Sequence, residues 1–286
     1  MGKLYRSLLM SLAVAILFAT INGCAGSTKR SDNNSDESST ESISTTDSKT
    51  DEFEVSRPEN KKATVAGEEA LYQAIKRQND SDIVKVANDL LMANPSNLRA
   101  LNALGLSNYK KGKYRAAEFF LNKALKTDPN EAGLYNNLAM LKLAQNEQRD
   151  AVKLLKTGLT HKSDDTGILT NLGAIYLSQK DYSNAEVALE QVYKSGTKDI
   201  KVQTNYATAL AANKKYPEAT AIYKKLFSDN GNSREIMLNY SIHLVENVKD
   251  YKQGLDLINR LKFVGLPEGA RNVINDLENK AKSGLK

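Results

Sequence analysis

Few residues in this chain carry chemistry, and their spacing limits what they do. Its 286 residues contain one cysteine, Cys24, and two histidines, His161 and His243. A lone thiol forms no intramolecular disulfide, no CxxC redox pair and no Cys/His zinc cage. Neither histidine has a Cys, a second His or a paired carboxylate at ligand spacing; His161 is expected in a turn and His243 within a helix. No Gly-rich phosphate loop, GxSxG or HExxH occurs, and Asp164-Asp165 reads as a helix start rather than a metal site. The chain is therefore read as a non-enzyme without metal or cofactor. One other pattern stands out: Asn137, Asn171, Asn205 and Asn239 each follow the last by 34 residues, with Ala103 at the place before them. A side-chain amide offers both a donor and an acceptor. A ladder of amides at equal steps suits the backbone of an extended peptide, irrespective of that peptide's side chains.

The same step of 34 organises everything around the ladder. From Leu104-Gly105 it gives Leu138-Ala139, Leu172-Gly173, Tyr206-Ala207 and Tyr240-Ser241. From Ala117 it gives Ala151, Ala185 and Ala219, and then Gly254 after a one-residue insertion. From Leu121 it gives Leu155, Leu189 and Tyr223, then Ile258 with the same offset. Within one unit, Leu101, Leu104, Gly105 and Asn108 recur at i, i+3, i+4 and i+7. Ala117, Leu121 and Ala124 repeat that spacing after a Gly112-Lys113 turn, so each unit is helix, turn, helix. The small column of Gly105, Ala139, Gly173, Ala207 and Ser241 marks where paired helices approach closely.

This pattern resembles the tetratricopeptide repeat (TPR) family, and the match is fullest over residues 98–131. Units start near 98, 132, 166, 200 and 234; a degenerate one spans 64–97, with Leu71 where small residues sit elsewhere. In the bulky opening column of Leu101, Tyr135, Leu169, Gln203 and Met237, Gln203 weakens the fourth strong unit. A capping helix is expected over 267–282, with Ala270, Ile274, Leu277 and Ala281 as its apolar stripe. The resemblance implies an all-α solenoid, a right-handed superhelix of hairpins whose first helices line the concave side. It also implies that the asparagine column is the partner-binding surface. Lys201 with Asn205 and Asn239 matches part of the carboxylate clamp of chaperone-binding members, but Glu235 stands where the next basic residue belongs.

The N-terminus has a different composition. Lys3 and Arg6 precede the apolar run Leu8 to Ala19, which at 1.5 Å per residue is about 18 Å of helix. That is too short for a bilayer core of about 30 Å and suits a secretory signal, residues 1–23. Ile21-Asn22-Gly23-Cys24 resembles the bacterial lipobox, which implies cleavage before Cys24 and covalent lipid on it. Several acyl chains hold a protein firmly where one does not. Ala25 rather than Asp after the cysteine implies the outer membrane, facing the periplasm, by enteric sorting. Residues 24–66 are rich in Ser, Thr, Asp and Glu, with few large apolar residues, and read as a disordered tether. Residues 67–286 are read as the array.

These features together describe a periplasmic, membrane-anchored adaptor whose concave groove binds a partner peptide or protein of the cell envelope. Alternatives are a pilotin-like assembly factor for type IV pili or motility, and a spacer contacting peptidoglycan. The spacer would use the Lys110-Lys111-Lys113-Arg115 and Lys214-Lys215-Lys224-Lys225 clusters. The export signal disfavours nucleic acid as a partner.

Overall fold

A computed structural model describes residues 58–286, with side chains from Val65 onward. Cys24, the signal segment and most of the tether lie outside the described residues. Every regular element described is helical, and the chain falls into two compact units, met here as residues 58–129 and 130–286. The first unit holds α1 (Pro58–Lys76), α2 (Asp80–Ala93), α3 (Leu98–Lys110) and α4 (Tyr114–Thr127). The second holds α5 (Ala132–Ala144), α6 (Gln148–His161), α7 (Thr166–Ser178), α8 (Tyr182–Lys194), α9 (Ile200–Ala212) and α10 (Tyr216–Asp229). It continues with α11 (Arg234–Ile242), a π-helix (His243–Val248), α12 (Tyr251–Val264) and α13 (Arg271–Gly284).

The helix starts at Leu98, Ala132, Thr166, Ile200 and Arg234 fall where the repeat places them. At the other boundaries the structure corrects the sequence reading. The array does not wait until residue 67: α1 begins at Pro58, where a fixed φ and a missing N–H suit a first helical turn. The degenerate unit is accordingly a full hairpin, α1 with α2. The capping helix runs from Arg271 to Gly284 rather than over 267–282, because Pro267 to Ala270 forms a turn, closed by the Ala270 N–H on the Pro267 carbonyl. His161 is the last residue of α6, not part of a turn.

From α3 on, each first helix starts at a side-chain cap in the same column. Asn97, Glu131, Asp165, Asp199 and Ser233 accept hydrogen bonds from the backbone N–H groups of Ala100, Gly133, Ile168, Lys201 and Ile236. A cap of this kind contributes about 1 kcal/mol. Asp165 thus has a structural duty. The turns between paired helices share a second column, at which Gln78, Gly112, Asn146, Lys180, Lys214 and Lys249 all have positive φ, 55–70°. The residue after it donates its N–H back to the last helical turn, as Lys113 does to the Asn108 carbonyl and Lys215 to Leu210. That bond ends a helix on a left-handed residue.

Inside each hairpin the small column lets the two helices touch. A Cβ on Gly105 would lie 2.7 Å from the Leu121 side chain, and one on Gly173 would lie 2.4 Å from Leu189 Cγ. Ala139, Ala207 and Ser241 fill the same column at 0% exposure. In the first hairpin the sizes are exchanged. Leu71 is buried where the others are small, and fully buried Ala87 stands where Leu121 and Leu189 stand later. The unit is degenerate in sequence and complete in volume. Gln203, the polar member of the bulky column, donates its Nε2 to the Thr197 carbonyl at 2.8 Å and ties down the preceding loop.

The one-residue insertion has a definite location. It is absorbed in the π-helix His243–Val248, whose wider turn takes up one extra residue per insertion. The closing bond changes accordingly: Asp250 N–H reaches back to the Leu244 carbonyl, one residue further than in the earlier turns. Gly254 then meets the π-helix directly, since a Cβ there would lie 2.5 Å from Val245 Cγ2. The α13 helix closes the stack with Ala270, Ile274, Leu277 and Ala281 buried, while Arg271, Asp276 and Lys280 stay exposed. Its Lys280 pairs with Glu246 of the π-helix, and its Glu278 with Lys262 and Lys282.

Lysine at a left-handed turn position costs about 1 kcal/mol relative to glycine, which has no Cβ to clash. Lys180→Gly and Lys214→Gly should each raise stability by about that amount, read as an increased urea midpoint with unchanged slope.

Candidate functional site

In the second unit the first helices of successive hairpins run against one another: α5 touches α7, α7 touches α9, and α9 touches α11. Each second helix packs on its own partner and on the next first helix. The first helices therefore line the inner side of this unit, and the asparagine column lies along it. Asn137 sits on α5, Asn171 on α7, Asn205 on α9 and Asn239 on α11. Asn137, Asn171 and Asn239 are half-buried and Asn205 is buried. Lys201 is half-buried one turn before Asn205, in the first turn of α9.

The ladder is not a row of identical groups. Asn171 Nδ2 donates to Asn136 Oδ1 across the α5–α7 seam at 2.7 Å. That bond leaves the Asn171 oxygen as an acceptor and the Asn136 amino group as a donor. Asn205 is only 9% exposed, and its amide has no hydrogen bond to protein among the described residues. Gln145 Oε1 is the described buried side-chain atom without a partner, so the amide end of Asn205 is what remains in reach of solution. A polar group so placed takes its hydrogen bonds from water or from a ligand.

Three residues on from Asn205, Thr208 joins α9 to α10. Thr208 Oγ1 donates to the Thr204 carbonyl at 2.9 Å and lies 2.8 Å from the Tyr223 hydroxyl. Tyr223 stacks on Tyr240 with centroids 5.8 Å apart, which ties α10 to α11. Burial pushes the Tyr223 hydroxyl up to about 12, so it stays protonated as a hydrogen-bonding group. Burial, reinforced by Glu190 and Glu186, does the same to Tyr206, which leans on Tyr193 with centroids 5.0 Å apart. Small side chains line much of the rest: Gly133 and Gly167 stand in the column of Lys201 and Glu235, and Ala174 in that of Met140 and Thr208.

The structure brings all four predicted asparagines and Lys201 onto one face. The sequence reading missed Asn136, the partner of Asn171. Its column of Asn136, Thr170 and Thr204 is polar at the same step of 34, which was the available signal. Both basic clusters are partly neutralised: Lys111 pairs with Asp80 at 3.1 Å and Lys215 with Glu186. Burial alone would raise the Glu186 carboxyl, but hydrogen bonds from Lys215 and Asn213 outweigh it and hold it below the usual range. Among the described residues no three of His, Cys, Asp and Glu gather as metal ligands.

Two family models describing the tetratricopeptide repeat match residues 108–172 and 166–195. Over residues 108–195 this chain is built of tetratricopeptide repeats. Solved TPR structures share its fold. YrrB, described as a TPR protein with an unusual peptide-binding site, aligns at TM-score 0.59 and 13% identity, over 70% of this chain and 99% of its own. PilF of Pseudomonas aeruginosa aligns at TM-score 0.53 and 22% identity, over 65% of this chain and 88% of its own. A TPR protein from Parabacteroides merdae aligns at TM-score 0.51 and 15% identity, over 77% and 99%. No curated protein matches the sequence. The TPR array is a protein–protein interaction scaffold, all-α throughout the described residues.

The last TPR hairpin carries a pH-sensitive group. His243 is 1% exposed, with Nε2 2.8 Å from Thr220 Oγ1 and Nδ1 3.3 Å from Asn247 Nδ2. Burial pushes its pKa down to about 4. The unfolded chain takes up a proton near 6.5, the ordinary histidine value, whereas the folded chain resists until about 4. Stability is therefore lost as pH falls through that window, and the loss levels off below it. The urea midpoint of the parent should fall from pH 6.5 to 4 more steeply than that of His243→Gln.

Proposed function

We propose that this protein is a lipid-anchored scaffold of the bacterial cell envelope that grips an extended segment of a partner protein along the inner face of its second unit. The observation that carries the reading is the amide ladder, above all Asn205, nine-tenths buried and without a protein partner for its amide. If neither water nor ligand reached it, such a group would cost about 1–3 kcal/mol. The Asn136–Asn171 pair adds one donor and one acceptor, the complement of a peptide unit. All these groups sit on packed helices, so little ordering entropy is lost when a peptide docks. The anchor rests on the lipobox-like Ile21-Asn22-Gly23-Cys24, and the outer-membrane, periplasmic location on Ala25. Partners would be envelope proteins, and the task the recruitment or assembly of an envelope complex.

The test is cross-linked capture from membranes, with fractionation of the same cells. The native form should stay with membranes and yield a defined partner set cross-linked to α5, α7, α9 or α11. Cys24→Ala should move the protein to the soluble fraction. Asn171→Ala with Asn205→Ala should weaken partner binding by about tenfold or more, on the order of 1 kcal/mol per lost bond, while leaving membrane retention unchanged. Reversing Lys214, Lys215, Lys224 and Lys225 to Glu should leave capture intact. Native protein found soluble in the cytoplasm would sink the anchor. Capture lost on the lysine reversal but kept in the asparagine variant would transfer binding to the basic surface.

A further inference from the structure

A single exposed apolar residue is ordinary on a protein surface. On α1 three of them gather. Val65, Tyr72 and Ile75 are 68%, 51% and 38% exposed and stand at i, i+7 and i+10, on one side of the helix. Glu68, on the same side, pairs with Arg99 at 3.1 Å and accepts from Asn97 Nδ2 at 3.2 Å, so α3 lies beside this stripe. On α3 the columns of Tyr72 and Ile75 hold Leu106 and Tyr109, both half-buried. Apolar side chains therefore stand on both helices.

The repeat does not require this stripe. The column of Val65 continues as Arg99, Gly133, Gly167 and Lys201, and that of Tyr72 runs on to Ala174 and Thr208. Nor is it the surface on which another hairpin would stack. Ala100 and Leu104 of α3 are buried in one cluster with Ile83, Ala87 and Leu90 of α2. Their columns on α1 are Ala66 and Ala70, which are small and exposed on another side of the helix.

Charge along the stripe selects what covers it. Glu69 is exposed; its carboxylate accepts from Gln73 Nε2 at 2.8 Å and meets no cation among the described residues. Lys76 and Arg77, two turns on, are exposed and form no ion pair among the described residues. A parallel helix of the same sequence would set Glu69 against Glu69 and Lys76 against Lys76. An antiparallel one, related by a two-fold axis beside Tyr72 and Gln73, sets Glu69 against Lys76 of the partner subunit, twice over, with the tyrosines at the centre.

We infer that α1 is a self-association surface, on which two copies of this chain pair through antiparallel α1 helices. Three apolar side chains per copy make less than the about 1,200 Å² of a standard interface, so the pairing is weak and reversible. It does not depend on what the second unit binds. Its effect is bivalence: a partner assembly with repeated segments meets two second units at once, which raises avidity without a new contact.

The experiment is disulfide trapping in lysates of cells making the full chain with Tyr72→Cys, oxidised with copper phenanthroline and read on non-reducing gels. A disulfide bridges Cα atoms no more than about 7 Å apart, and a residue beside a two-fold axis meets its own copy. The controls are the parent, whose one cysteine is Cys24, and Met92→Cys, an exposed position on α2. Tyr72→Cys should give a disulfide dimer well above both. Adding Glu69→Lys or Lys76→Glu should each lower that yield about fivefold, because two exposed ion pairs become like-charge contacts. The two reversals together should restore it, and each purified variant should keep the parent's helical spectrum. A dimer yield from Tyr72→Cys no greater than from Met92→Cys would overturn the pairing, as would charge reversals that have no effect or do not rescue one another. Slow maleimide labelling of Tyr72→Cys with no dimer would put another occupant on the stripe, the segment before Pro58 or a different protein, and would overturn it as well.

Discussion

The fold depends on one close approach, repeated in every hairpin after the first: a residue with little or no side chain on the first helix receives a large one from the second. Gly105 against Leu121 and Gly173 against Leu189 show how tight it is, since a single added carbon would overlap the leucine. Overpacking such a contact costs about 1–3 kcal/mol. Once the two helices are seated, their caps and left-handed turn residues follow at fixed offsets. The first hairpin shows that the constraint is on summed volume, because Leu71 and Ala87 satisfy it with the sizes exchanged.

Close seating also decides where function can lie. The first helices of the second unit are drawn together, so one residue per helix recurs along their common face. The contacts from Thr208 to Tyr223 to Tyr240 tie α9, which carries Asn205, to α10 and α11. Where the repeat gains a residue, the π-helix confines the disturbance to His243–Val248, and Gly254 and the Lys280–Glu246 pair restore the packing beyond it.

Much of this was legible before any coordinates. Period and residue size gave the hairpins, their starts, the small column, the insertion between Ser241 and Tyr251, and the buried stripe of the last helix. The start of α1 at Pro58 was hidden because Glu59 to Lys62 looks like the polar tether before it; only its continuity with Leu71 and Ala74 makes it helix. Gln203 looked like a defect because a hydrophobic column says nothing of a loop carbonyl waiting beside it.

The sequence by itself determined the repeat, its register and the identity of the ladder residues, because all three are local and periodic. It could not decide which amides are spoken for. Asn171 is tied to Asn136 and Asn205 is not, although both occupy one column of one motif. That difference comes from contacts between residues on separate helices, so it is created only when the helices pack. Burial has the same origin: Asn205 and His243 are polar residues whose depth no local pattern records, and their depth leaves one with only its amide end at the surface and gives the other a depressed pKa.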